Sequence, residues 1–163
     1  MGLFKAVASL FGDQIHFGCS NKNGQPAEPR PKPTVLVIDD DANFLQMMQT
    51  LLGRAGYGVL TSSTGPKGLD MLRYAPRDVA VVVLDFKMPQ HDGAETLKHL
   101  RKLKCPVKVI GISGITTNQI PESFREGVER LVVKPFDPRE LLQTIESLLG
   151  GNSAAESAAA ASA

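Results

Sequence analysis

The chain has 163 residues, 42% apolar and 6% aromatic with no Trp, and its 18 Lys+Arg against 17 Asp+Glu leave a formal charge of +1. That length accommodates one ordinary domain and disfavours two. A near-zero net charge provides no global field for holding nucleic acid or an anionic membrane, so general nucleic-acid binding is disfavoured and any such partner needs a local patch.

Residues 1–33 form a leader. Leu3, Phe4, Val7, Leu10 and Phe11 share one helical face, which suits a membrane surface or a partner groove. A helix of about ten residues is marginal alone, so fraying, or packing on its own domain or a second copy, stands beside that reading. Asp13, Gln14 and His16 interrupt the apolar stretch before any small-residue cleavage site, which argues against a signal peptide. Ala6 stands where a myristoylation pattern wants Ser or Thr. His16 and Cys19 have ligand-like spacing, but no second pair follows to complete a zinc site. The leader closes in PAEPRPKP, whose prolines favour an extended linker.

Residues 34–149 alternate between two hydrophobic periods. Short apolar runs at 35–38, 57–60, 79–84, 107–112 and 131–133 read as strands, and the first, third and fifth are continuous, as in strands buried on both faces. Between them lie helical stripes. Phe44, Leu45, Met48, Leu51 and Leu52 form one. Thr64 before Gly65-Pro66 caps a second that runs to Tyr74. Ala94, Leu97, Leu100 and Leu103 form a third after the Asp92-Gly93 turn. Pro121 interrupts the stretch 115–130, so the fourth helix is short and starts near Ile120 or Pro121. Leu141, Leu142, Ile145, Leu148 and Leu149 form the last stripe. Five strand–helix units make a doubly wound α/β sheet. Residues 150–163, GGNSAAESAAAASA, have nothing to bury after Gly150-Gly151 and read as a disordered tail. Two cysteines, Cys19 and Cys105, are too few for a disulfide framework, and no apolar run reaches the roughly 18 residues of a membrane span. The expected location is the cytoplasm.

Ligands of an open parallel sheet bind beyond the carboxyl ends of its strands. There the sequence delivers Asp39, Asp40 and Asp41 after the first strand, Asp85 after the third, Ser113 after the fourth and Lys134 after the fifth. Taken singly, Asp39–41 is an acidic helix start, and Asp41 reads as the cap of helix one. Asp39, Asp40 and Asp85 together would repel one another unless a cation sits among them. Hard carboxylate oxygens without His or Cys favour Mg²⁺, which keeps waters and takes one or two carboxylates plus a phosphate oxygen. Lys134 can pair with a phosphoryl oxygen, Ser113 can donate to it, and Asp85 is left to attack phosphorus.

In this order, DD, D-x-x-M-P-x-x-D-G, a hydroxyl with a small neighbour, and KPF make the core resemble the receiver domain of two-component response regulators. The resemblance implies a flavodoxin-like (βα)5 sheet of strand order 2-1-3-4-5. It implies phosphoryl transfer onto Asp85 from a sensor histidine kinase or a histidine phosphotransfer protein. It assigns Mg²⁺ to Asp39, Asp40, Asp85 and the backbone carbonyl of Lys87, the switch hydroxyl to Ser113, phosphate pairing to Lys134, and a cis peptide to Lys134-Pro135. Leu131 departs from the pattern, because many receivers carry an aromatic switch there. That departure and Pro121 both fall on the face that receivers use for dimerisation or output, so a homodimer is among the expected assemblies. Lys87 reads either as a residue tuning access of hydrolytic water or as a solvated loop lysine. His99 reads as a solvated helix residue, and His91 lies near the site without an evident role.

The expectation is a stand-alone receiver without an output domain, acting as a phosphorelay intermediate or docking module on a downstream protein, and no enzyme beyond its own phosphorylation and dephosphorylation. A different class of reading is a phosphorylation-independent interaction module working through the leader. A phosphohydrolase is disfavoured, because FKMP lacks a second acid two positions after Asp85.

Overall fold

In the computed structural model, residues 32–74, 79–89 and 92–160 are described. Expectations for the leader, His16, Cys19 and His91 lie outside them. The described elements are β1 (Lys32–Ile38), α1 (Ala42–Arg54), β2 (Tyr57–Ser62), α2 (Gly65–Tyr74), β3 (Val79–Asp85), α3 (Gly93–Lys102), β4 (Lys108–Ser113), α4 (Glu122–Gly127), β5 (Arg130–Val133) and α5 (Pro138–Ala160). The strands are parallel in the order β2-β1-β3-β4-β5, so the flavodoxin-like (βα)5 expectation holds.

Side-chain alternation distributes the core over two faces. Val35, Val37, Val81, Val83, Ile110 and Ile112 pack against Met48 and Leu52 of α1 and Leu141 and Ile145 of α5. Leu36, Ile38, Val82, Leu84 and Val109 pack against Leu69 and Leu72 of α2, Leu97 and Leu100 of α3, and Phe124 of α4. Each such large side chain, once buried, contributes about 1.5–3 kcal/mol. Gly56, at φ 87°, makes the left-handed turn between α1 and β2 that other residues adopt only under strain.

Helix starts follow local chemistry. Asp41 caps α1, accepting from the N–H groups of Asn43 and Phe44. Asp92 caps α3, accepting from Ala94. The Thr64 carbonyl accepts the Gly68 N–H at the start of α2. Pro121 is the N-cap of α4, which has only six residues and is preceded by a 3-10 turn at Thr117–Gln119. The short fourth helix is therefore present, one residue later than Pro121 itself.

Three expectations need correction. β1 begins at Lys32, inside the stretch read as linker, because Pro33 falls at a register shift between Lys32 and Thr34, where its missing N–H is tolerated. β5 is only half-buried although its sequence is continuously apolar, because it is the sheet edge; β4 is the buried strand instead. The α5 backbone continues through Gly150-Gly151 to Ala160, past the expected stop and into the stretch read as a disordered tail. The Ala-rich run there has high intrinsic helix propensity and no proline. No helix of the described residues is long and apolar enough to cross a membrane.

Candidate functional site

The carboxyl edge of the sheet brings Asp39, Asp85, Ser113 and Lys134 together. Asp39 follows β1 and is 1% exposed; its N–H donates to the Ser62 carbonyl at 3.1 Å, and its Oδ1 accepts the Asp41 N–H at 2.9 Å. Asp85 ends β3 at 5% exposure, with Oδ2 accepting the Lys87 N–H at 2.8 Å. Lys134 follows β5, its backbone N–H donating to the Ser113 carbonyl at 2.7 Å. Its ammonium then spans the gap between two strands, 2.8 Å from Asp39 Oδ2 and 3.0 Å from Asp85 Oδ1. The Lys134-Pro135 peptide is cis.

Two buried carboxylates face one ammonium, so the pocket is short of positive charge. Burial pushes the Asp85 carboxyl above the ordinary carboxylate range, opposed by the Lys134 hydrogen bond and reinforced by the nearby charge of Asp39. Burial alone would lower the Lys134 ammonium, but its hydrogen bonds to Asp39 and Asp85 outweigh that and hold it above its usual value. Ser113 is fully buried, and its Oγ accepts the Ile115 N–H at 3.1 Å while facing the Ile115 carbonyl at 3.3 Å. The hydroxyl thus closes a local turn.

Asp40 and Lys87 sit at the rim. Both are exposed, and the Lys87 backbone pairs with Asp92 while its N–H enters the site. The Asp41 side chain is engaged as the α1 cap, and His99 is exposed on α3. Cys105 is a free, half-buried thiol.

Among the described residues no group of three or more His, Cys, Asp and Glu is gathered as a potential metal cage. Zinc and calcium sites built wholly from protein would need one. The donor set does fit Mg²⁺, which retains waters and needs one or two carboxylates. Asp39 and Asp85 supply hard oxygens in a pocket with excess negative charge, and Asp40 and the Lys87 carbonyl lie beside it in the chain.

Aromatic support for this site was not legible beforehand. The Lys134 ammonium lies 4.6 Å from the centroid of the Phe44 ring, and Phe136 meets Phe44 edge-on at 6.2 Å. In the sequence Phe44 is one member of an apolar stripe; only the fold shows that its face carries a cation. Phe136 had a signal, the KPF tripeptide.

Four strand ends presenting two acids, a hydroxyl and a lysine on a 2-1-3-4-5 sheet define a receiver. The family profile of the response regulator receiver domain matches residues 35–146, and the chain belongs to that family. Among curated proteins it is similar to the probable transcriptional regulator ycf27 of Guillardia theta, 34% identical over 119 residues that cover 72% of this chain and 46% of that protein. It is also similar to the response regulator SaeR of Staphylococcus aureus (strain USA300), at 29% identity over 71% of this chain and 50% of that protein. The chain thus spans about half the length of the curated relatives it matches. Among solved structures, the chemotaxis protein CheY4 of Vibrio cholerae superposes with a TM-score of 0.66 at 28% identity, covering 72% of this chain and 98% of that one. The receiver domain of the Francisella response regulator 1452 gives 0.65 at 30% identity, over 74% and 99%.

Proposed function

We propose that this receiver accepts a phosphoryl group on Asp85 and changes its partner binding in response. The observation that carries the reading is the Lys134 ammonium held at hydrogen-bond distance from both buried carboxylates, Asp39 and Asp85. An Asp85 carboxylate oxygen attacks the phosphorus of a phosphohistidine, from a sensor histidine kinase or a phosphotransfer protein, whose other ring nitrogen carries a proton; the new O–P bond forms as the N–P bond breaks, the bonding pair stays on the imidazole nitrogen and neutral histidine departs. Mg²⁺ bound through Asp39, Asp40, Asp85 and the Lys87 carbonyl would neutralise charge on the transferring oxygens. Lys134 is already within reach of Asp85 and can exchange a carboxylate contact for a phosphoryl oxygen. Ser113 can leave its turn with Ile115 and donate to the same group, moving the chain that leads into α4.

Such a module acts through what it binds, as a phosphorelay intermediate or as a docking partner of a downstream protein. Acetyl phosphate with Mg²⁺ tests the chemistry. The full chain should gain a hydroxylamine-labile phosphoryl group by intact mass, and Asp85→Asn should gain none. A full chain that stays unmodified would leave the phosphorylation-independent interaction module as the better reading.

A further inference from the structure

Phe124 occupies an unusual crossroads. It is the one buried side chain of the six-residue α4, at 1% exposure. Its ring meets that of Phe86, the residue after Asp85, edge-on with centroids 5.0 Å apart. Its other side lies under β4 at Gly111, where an added Cβ would fall 2.7 Å from Phe124 Cε1 and 3.1 Å from Cζ. Gly111 and Ser113 are two apart on one strand and therefore share a face. A single ring thus touches the residue that follows Asp85 and the strand face that ends in Ser113.

Elsewhere α4 is held near its ends, where Gly127 packs against Leu97 of α3. The N-cap of α4 is Pro121, which supplies no side-chain cap, and at its other end Arg101 of α3 donates to the Gly127 carbonyl. The backbone of Phe86 is tied to the sheet by its N–H on the Ile112 carbonyl at 2.7 Å, so a displacement at the end of β3 or β4 reaches the Phe86 ring with little slack. Close-packed rings transmit such displacements rather than absorb them. Leu131 borders the same space, its Cδ1 3.2 Å from the position a Gly111 Cβ would take.

We infer that Phe124, through its contact with Phe86, is the positioning residue that transmits the state of Asp85 and Ser113 to α4. The inference rests on the phosphoacceptor reading above. The test follows backbone amide shifts of the full chain by NMR before and after acetyl phosphate and Mg²⁺, with phosphorylation scored separately by intact mass. In the native protein the amides of Glu122–Gly127 should shift. Phe124→Leu, which retains an apolar side chain without the ring, should be phosphorylated to the same extent yet lose that α4 response. Phe86→Leu should give the same loss from the other side of the pair and serves if Phe124→Leu does not fold. Phosphorylated protein in which α4 stays still, or variants in which α4 shifts as in the native chain, overturn the inference while leaving the phosphoacceptor intact. A native chain that takes up no phosphoryl group overturns both.

Discussion

Gly93 and Asp85 meet through the absence of a side chain. A Cβ at Gly93 would collide with the Asp85 carbonyl oxygen and lie 2.7 Å from the Phe86 Cα and 2.8 Å from the Phe86 carbonyl oxygen. The Gly93 N–H meanwhile donates to that Phe86 carbonyl at 2.9 Å. The start of α3 is therefore pressed against the backbone that aims the Asp85 carboxylate.

All three clashing atoms are backbone, so they cannot rotate away. Gly93→Ala should force α3 from the end of β3, at a cost on the order of 1–3 kcal/mol, and slow phosphoryl uptake from acetyl phosphate. Thermal melts and uptake rates measure the two effects; a variant matching the native protein in both would show that the contact has room to relax.

Stability should depend on the ionisation of Asp85. Its carboxyl binds a proton more tightly in the folded chain than the ordinary value of 3.8. The associated stabilisation is full below that value and is lost as pH rises through the folded one, so at neutral pH the buried anion opposes folding. Asp85→Asn removes the charge. In EDTA it should melt above the native protein at pH 7, with the gap closing as pH falls toward the ordinary value. An equal or lower melting temperature at pH 7 would refute the assignment.

Much of this site was legible because strand ends are fixed by local pattern. Asp39, Asp85, Ser113 and Lys134 each close an apolar run, and a parallel sheet must put such positions on one edge. Properties set by neighbours distant in sequence were not legible. The apolar run of β5 reads like that of β3, yet its burial depends on lying at the edge. Asp39 and Asp40 are adjacent acids, and only backbone direction buries one and exposes the other. The ring contacts of Phe44 with Lys134 and of Phe86 with Phe124 likewise join elements far apart in sequence.

Lys134 is the ammonium that both buried carboxylates share, so Lys134→Met leaves Asp39 and Asp85 facing each other without it. Uncompensated buried charge is strongly destabilising, in the range of about 3–5 kcal/mol when fully enclosed; with the Lys134 side chain 31% exposed, a smaller loss is expected. Added Mg²⁺ can take over part of the neutralisation. The rise in melting temperature between EDTA and saturating Mg²⁺ should therefore be larger in Lys134→Met than in the native chain. Equal rises would argue that the metal does not bind where the ammonium now sits.

The short α4 needs its C-terminal anchor. Arg101 Nε and Nη2 lie 3.2 and 2.6 Å from the Gly127 carbonyl, and Nη2 is 3.1 Å from Glu129 Oε2. Glu129 in turn accepts the Val109 N–H and donates its own N–H to the Val109 carbonyl at 2.8 Å, so one guanidinium links α3, the end of α4 and β4. An exposed ion pair alone contributes little, but here the guanidinium also satisfies an orphan helix carbonyl. Arg101→Ala should cost about 1 kcal/mol and speed hydrogen exchange in Glu122–Gly127 while sparing β1 and β3. Glu129→Gln retains an acceptor for Val109 and should cost less. A double-mutant cycle separates the shared ion pair from the carbonyl contact: a coupling energy smaller than the Arg101→Ala loss assigns the remainder to Gly127, and a coupling equal to the whole loss would mean that the helix end gains nothing from Arg101.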